Sequence, residues 1–119
     1  MSGASVLIVD DDPQVRKVIA AFLGSDGFST VEAQNGLEAV RVFGLSRRSI
    51  ALVISDVEMP LMDGLEAVAR MKAIDRNVRV VLISGHPAKL AQSGDDCKRL
   101  AKPFSRNQLL DLVHLALAA

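Results

Sequence analysis

The chain carries a single cysteine, Cys97, so no disulfide forms within it, and a reducing cytoplasmic setting is the simplest expectation. No apolar run approaches the roughly 20 residues that span a bilayer, and the N-terminus lacks the basic, long-apolar pattern of a secretory signal. A soluble, unsecreted domain without membrane contact is expected. Neither charge is in surplus: fourteen Lys and Arg balance fourteen Asp and Glu, which argues against a nucleic-acid partner drawn by bulk charge. Internal repeats, low-complexity tracts and linkers are also missing. What is present is 119 residues, half of them hydrophobic, which suits one core and one domain over 1–119.

Five short apolar runs, residues 5–9, 29–33, 50–55, 79–84 and 98–101, alternate with amphipathic stretches. That alternation predicts βαβ units and an α/β fold. Val6-Leu7-Ile8-Val9, Ala51-Leu52-Val53-Ile54 and Val80-Val81-Leu82-Ile83 are continuously apolar, as central parallel strands covered on both faces require. Helix punctuation agrees. Asp12-Pro13 supplies an N-cap and a proline at the first helical position, for a helix running to about Leu23. Asn35 with Glu38, Asp63-Gly64, and Ser105 with Gln108 mark three further helix starts. Leu65, Val68, Ala69 and Met71 are expected on the apolar face of the third helix, and Leu109, Leu110, Val113 and Leu117 on that of the fifth. Between His86 and Asp96 there is room for only a short fourth helix, over 87–92, before Ser93-Gly94 breaks it.

Reactive side chains follow the apolar runs. Asp10 and Asp11 follow the first, Asp56 the third, Ser84 the fourth and Lys102 the fifth. An open parallel sheet binds ligands at the carboxyl ends of its strands, so these residues are expected to share one edge. Three acids at the tips of two neighbouring buried strands repel one another unless a cation lies between them. Oxygen ligands of this kind suit Mg²⁺. Plainer roles compete at several positions: Asp12 and Asp63 read as helix caps, Asp10 as a loop acid, Lys102 as a solvated lysine and Cys97 as a half-buried apolar residue.

Taken together, Val6-Leu7-Ile8-Val9-Asp10-Asp11, Ser55-Asp56-Val57-Glu58-Met59-Pro60 with Asp63-Gly64, Ser84-Gly85, and Lys102-Pro103-Phe104 resemble the receiver domains of response regulators, of the chemotaxis-regulator type. The resemblance implies a flavodoxin-like three-layer α/β/α sandwich, with a five-stranded parallel sheet of order 2-1-3-4-5 and five helices. It implies Asp56 as phosphoacceptor, and Mg²⁺ held by Asp10, Asp11, Asp56 and the backbone carbonyl of Glu58. Lys102 and Ser84 would engage the phosphoryl oxygens, and a cis Lys102-Pro103 bond would aim the ammonium inward. The phosphoryl donor would be a histidine kinase or a histidine phosphotransfer protein, docking near Arg16, Val18-Ile19 and Pro103. The domain would be a monomer or weak dimer, catalysing only its own phosphotransfer and slow dephosphorylation. His86, two residues past Ser84, is placed to gate hydrolytic water. The Ser84-Gly85-His86-Pro87 loop is similar to receivers attached to hybrid histidine kinases, so a free-standing regulator and a hybrid-kinase receiver both fit.

One departure stands out. In that family an aromatic residue three positions before the lysine turns inward on phosphorylation; here that position is Arg99, and the chain has no Tyr or Trp at all. Arginine is costly to bury, so Arg99 is expected to stay outward. The alternative function is therefore a receiver-like docking module that works independently of phosphorylation. A small aspartyl-phosphate hydrolase or mutase would place an acid where Glu58 stands but would need a substrate-covering insertion that this chain lacks.

Overall fold

The computed structural model describes residues 4–91 and 97–118. In chain order the elements are β1 (Ser5–Val9), α1 (Pro13–Ser25), β2 (Ser29–Ala33), α2 (Gly36–Ser46), a 3₁₀ turn (Arg47–Ser49), β3 (Ile50–Asp56), α3 (Gly64–Ile74), β4 (Val80–Ser84), α4 (Pro87–Ala91), β5 (Lys98–Ala101) and α5 (Arg106–Ala118). The strands form one parallel sheet in the order β2-β1-β3-β4-β5, the flavodoxin-like order expected.

Alternate residues of each strand point to opposite faces, which divides the apolar side chains into two cores. On one face Leu7, Val9, Val53 and Leu82 pack with Phe43 of α2 and Ala67, Val68 and Met71 of α3. On the other, Ile8, Leu52, Ile54 and Ile83 pack with Ile19 and Leu23 of α1 and Leu109 and Val113 of α5. The three continuously apolar runs are thus buried from both sides, and the result is the expected three-layer sandwich. No helix among the described residues is long and apolar enough to cross a membrane.

The caps hold as read. Asp12 accepts from the Gln14 amide at 2.9 Å, Asn35 from Glu38 at 2.8 Å and Asp63 from Glu66 at 2.8 Å. Ser105 and Gln108 form a reciprocal capping box at 3.1 and 2.8 Å. Some side-chain directions differ from expectation. In α3 the buried set is Gly64, Ala67, Val68 and Met71, while Ala69 is exposed. The helix starts at Gly64, and spacings of three and four from there put Ala67, not Ala69, beneath the sheet. In α5 Leu109, Leu110 and Val113 are buried as expected, Leu117 packs partly buried against the same core, and Ala116 joins the buried set. Helix α4 is short as predicted; Gln92 and the Ser93-Gly94 break lie outside the described residues.

Candidate functional site

The site lies at the carboxyl edge of the sheet because strand register puts it there. Val9 pairs with Ser55 across β1 and β3, so the residues one step further, Asp10 and Asp56, come abreast. Carboxylate oxygens of Asp10, Asp11 and Asp56 all lie within 4.8 Å of one another. Asp10 is 2% exposed and Asp56 6%, whereas Asp11 is open to solvent. The Asp10 carboxylate accepts from the Asp12 amide at 2.9 Å. Behind it, Arg16 donates Nη1 to the Asp10 carbonyl at 2.7 Å and Nε to Glu32 at 2.9 Å, tying the tip of β1 to β2.

Lys102 arrives from β5, whose Ala101 is in register with Ser84. Its amide donates to the Ser84 carbonyl at 2.9 Å, and the following peptide bond to Pro103 is cis, as the resemblance implied. The ammonium lies 3.3 Å from Asp56 Oδ2 and 3.6 Å from Asp10 Oδ2. On the far side, α3 begins so close that a Cβ on Gly64 would sit 2.2 Å from the Asp56 carbonyl oxygen. The acceptor strand and α3 therefore meet through a position where a side chain has no room.

Burial, then the neighbouring Asp10 charge, raises the Asp56 carboxyl from its ordinary 3.8 to about 6, with Lys102 opposing. Burial likewise raises Asp10, against the Asp12 amide and Lys102. For Lys102 burial works downward, but Asp56 and Asp10 outweigh it and the net direction is up. Asp56 Oδ1 is buried and has no hydrogen-bond partner among the described residues. A buried oxygen left bare beside two more carboxylates fits a hard divalent cation with oxygen ligands.

Ser84 is completely buried at the end of β4. Its hydroxyl donates to Glu58 Oε1, while the His86 amide donates to Ser84 Oγ at 2.8 Å. His86 Nδ1 lies 2.7 Å from the same Glu58 oxygen. Burial pushes the Glu58 carboxyl up, yet the bonds from Ser84 and His86 outweigh it and leave it below its ordinary value.

Asp10, Asp11, Asp56, Ser84 and Lys102 are brought to one edge, as their places after the apolar runs predict. Asp12 and Asp63 are caps. Arg99 is exposed, as expected. His114 pairs with Asp26 at 2.8 Å, away from the acidic cluster. Three expectations change. Ile19, expected at a partner-docking face, is 1% exposed and belongs to the core, while Val18 beside it is 47% exposed. Cys97, expected half-buried, is 5% exposed, with Lys72 Nζ at 3.7 Å from its sulfur. For a receiver, sequence reasoning credited Glu58 with its backbone carbonyl alone, weighing its side chain only as the acid of a hydrolase or mutase, and missed its contact with Ser84. The available signal was an acid two residues past Asp56, facing a histidine two residues past Ser84.

A family model for the response regulator receiver domain matches residues 6–114. The chain belongs to this family. The receiver domain is 33% identical to sporulation initiation phosphotransferase F of Bacillus subtilis, over 95% of this chain and 93% of that protein. It is 34% identical to the transcriptional regulatory protein GlrR of Escherichia coli over 96% of this chain, but spans only 26% of that longer protein. Among solved structures it is similar to the response regulator TrrA of Thermotoga maritima in complex with Mg²⁺ and BeF, with a TM-score of 0.87 and 26% identity, covering 96% of this chain and 99% of that one. The chain is thus a signalling receiver domain of the two-component type, and a phosphorelay receiver by family.

Proposed function

We propose that Asp56 accepts a phosphoryl group from the phosphohistidine of a histidine kinase or histidine phosphotransfer protein. The observation that carries this reading is the meeting of Asp56 with two further carboxylates and the Lys102 ammonium at one sheet edge. Asp10, Asp11, Asp56 and the Glu58 backbone carbonyl would hold Mg²⁺, which offsets charge on the phosphoryl oxygens when bound. An Asp56 oxygen attacks phosphorus, the new O–P bond forms as the P–N bond breaks, and the electron pair of that bond stays on the imidazole nitrogen. Lys102 moves from pairing with Asp56 to pairing with the phosphoryl oxygens, and Ser84 donates its hydroxyl to them.

The donor would dock beside the site. A groove lined by Gln14, Val15, Val18, Pro103 and Phe104 runs up to Lys102 and offers an apolar surface next to the acceptor. Residues 1–119 act as one receiver domain, cytoplasmic, monomeric or weakly dimeric, in direct contact with neither nucleic acid nor membrane. It catalyses only its own phosphotransfer and slow dephosphorylation.

The test is incubation with a small acyl phosphate and Mg²⁺ followed by intact-mass measurement. A single phosphate addition that disappears in Asp56→Asn supports the proposal. No addition would instead favour a docking module independent of phosphorylation, the reading to which Arg99 lends weight.

A further inference from the structure

We infer that the Glu58 carboxylate accepts the Ser84 hydroxyl bond that the phosphoryl oxygens will later accept, and releases it when Asp56 is phosphorylated. This deepens the proposed function and rests on Asp56 being the acceptor. A serine hydroxyl has one proton and so one strong bond to give at a time. Two acceptors face it, the Glu58 Oε1 carboxylate oxygen and, at 3.3 Å, the His86 carbonyl, and the anionic, nearer Glu58 oxygen is the stronger. The His86 amide donates to Ser84 Oγ at 2.8 Å, filling its acceptor side and leaving the hydroxyl proton for Glu58. His86 Nδ1, at 2.7 Å from Glu58 Oε1, anchors the carboxylate from the same loop.

Glu58 therefore imitates a phosphoryl oxygen: an anionic acceptor, close to Asp56 in sequence, gathering donors from the end of β4. It is a positioning residue, acting through Ser84. The arrangement is held yet poised, because Glu58 Oε2 is buried with no hydrogen-bond partner among the described residues and gains hydration when the side chain swings out. Phosphorylation then exchanges one charge-assisted bond of Ser84 for another, and the β4–α4 loop loses its tie to Glu58 in the same event.

The experiment measures the rate of phosphate addition from a small acyl phosphate with Mg²⁺, by intact mass, in four proteins: the native chain, Glu58→Ala, Ser84→Ala and the double variant. Thermal melts confirm that each is folded. Glu58→Ala frees the hydroxyl and is expected to accelerate phosphorylation about tenfold, the value of a hydrogen bond to a charged group. In the Ser84→Ala background the same change is expected to accelerate nothing. Equal acceleration in both backgrounds overturns the inference, since Glu58 would then act by charge alone; so does an unchanged or slower rate in Glu58→Ala. If no protein of the four takes up phosphate, the reading of Asp56 falls and this inference with it.

Discussion

Lys102 Nζ stands 3.3 Å from Asp56 Oδ2 and 3.6 Å from Asp10 Oδ2, so one ammonium serves two buried carboxylates delivered by adjacent strands. One positive charge between two negative ones leaves the cluster short of a cation. That deficit suits the edge to a bound cation, and it is expected to leave measurable traces in stability.

The first trace is pH dependence. Burial and Asp10 raise the Asp56 carboxyl from 3.8 to about 6, so the folded state holds this proton more tightly than the unfolded state. The stabilisation is fully present below the unfolded value and is lost as pH rises through the folded one. Without divalent metal, the unfolding free energy of the native chain is expected to fall between pH 4 and 7 relative to Asp56→Asn, by up to about 3 kcal/mol. Urea melts of both proteins across this range check it. Parallel pH profiles would show that Asp56 is not strained in this way.

Mg²⁺ is expected to reverse the penalty. Melting temperature is expected to climb with Mg²⁺ concentration in the native chain, because an ion that binds only the folded state stabilises it by mass action. In Asp10→Asn and Asp11→Asn the climb is expected to require at least about tenfold more metal, a loss on the order of 1.4 kcal/mol per ligand. Titration calorimetry gives the affinities directly. An undiminished affinity in both variants would remove Mg²⁺ from this cluster.

Gly64→Ala tests the close approach of α3 to β3. The added Cβ would meet the Asp56 carbonyl oxygen at 2.2 Å, a backbone atom rather than the flexible end of a side chain that could give way. A destabilisation of about 3 kcal/mol is expected by urea unfolding. Gly44→Ala is the contrast. Lying inside α2, it would place a Cβ 3.7 Å from Ile74 Cδ1 of α3, an ordinary contact, so it is expected to stabilise by about 0.5–1 kcal/mol.

Cys97 is expected to resist thiol reagents in the native state, being 5% exposed. Labelling followed against urea concentration is predicted to track unfolding rather than precede it. Rapid labelling without denaturant would mark the thiol as accessible and reactive.

Much of the site could be read in advance because it rests on local rules. Hydrophobic runs locate the strands, caps locate the helix starts, and the acids, Ser84 and Lys102 fall at strand ends by simple adjacency. The misreadings share one cause: side-chain direction. Ala67 rather than Ala69 faces the sheet in α3, Ile19 turns inward where Val18 turns out, and Cys97 is deeply packed. Each depends on how an element is rotated against its neighbours, which spacing alone bounds only to within a residue or two.

The amino-acid order by itself determined the α/β alternation, the helix caps and the positions in the chain of Asp10, Asp11, Asp56, Ser84 and Lys102, because these follow from interactions between residues close along the chain. Only the tertiary structure decided that Glu58 reaches Ser84, 26 positions away, and that Lys102 divides its charge between two acids. Those contacts arise where neighbouring strands end side by side, and that alignment is set by packing of the whole sheet between its two helical layers.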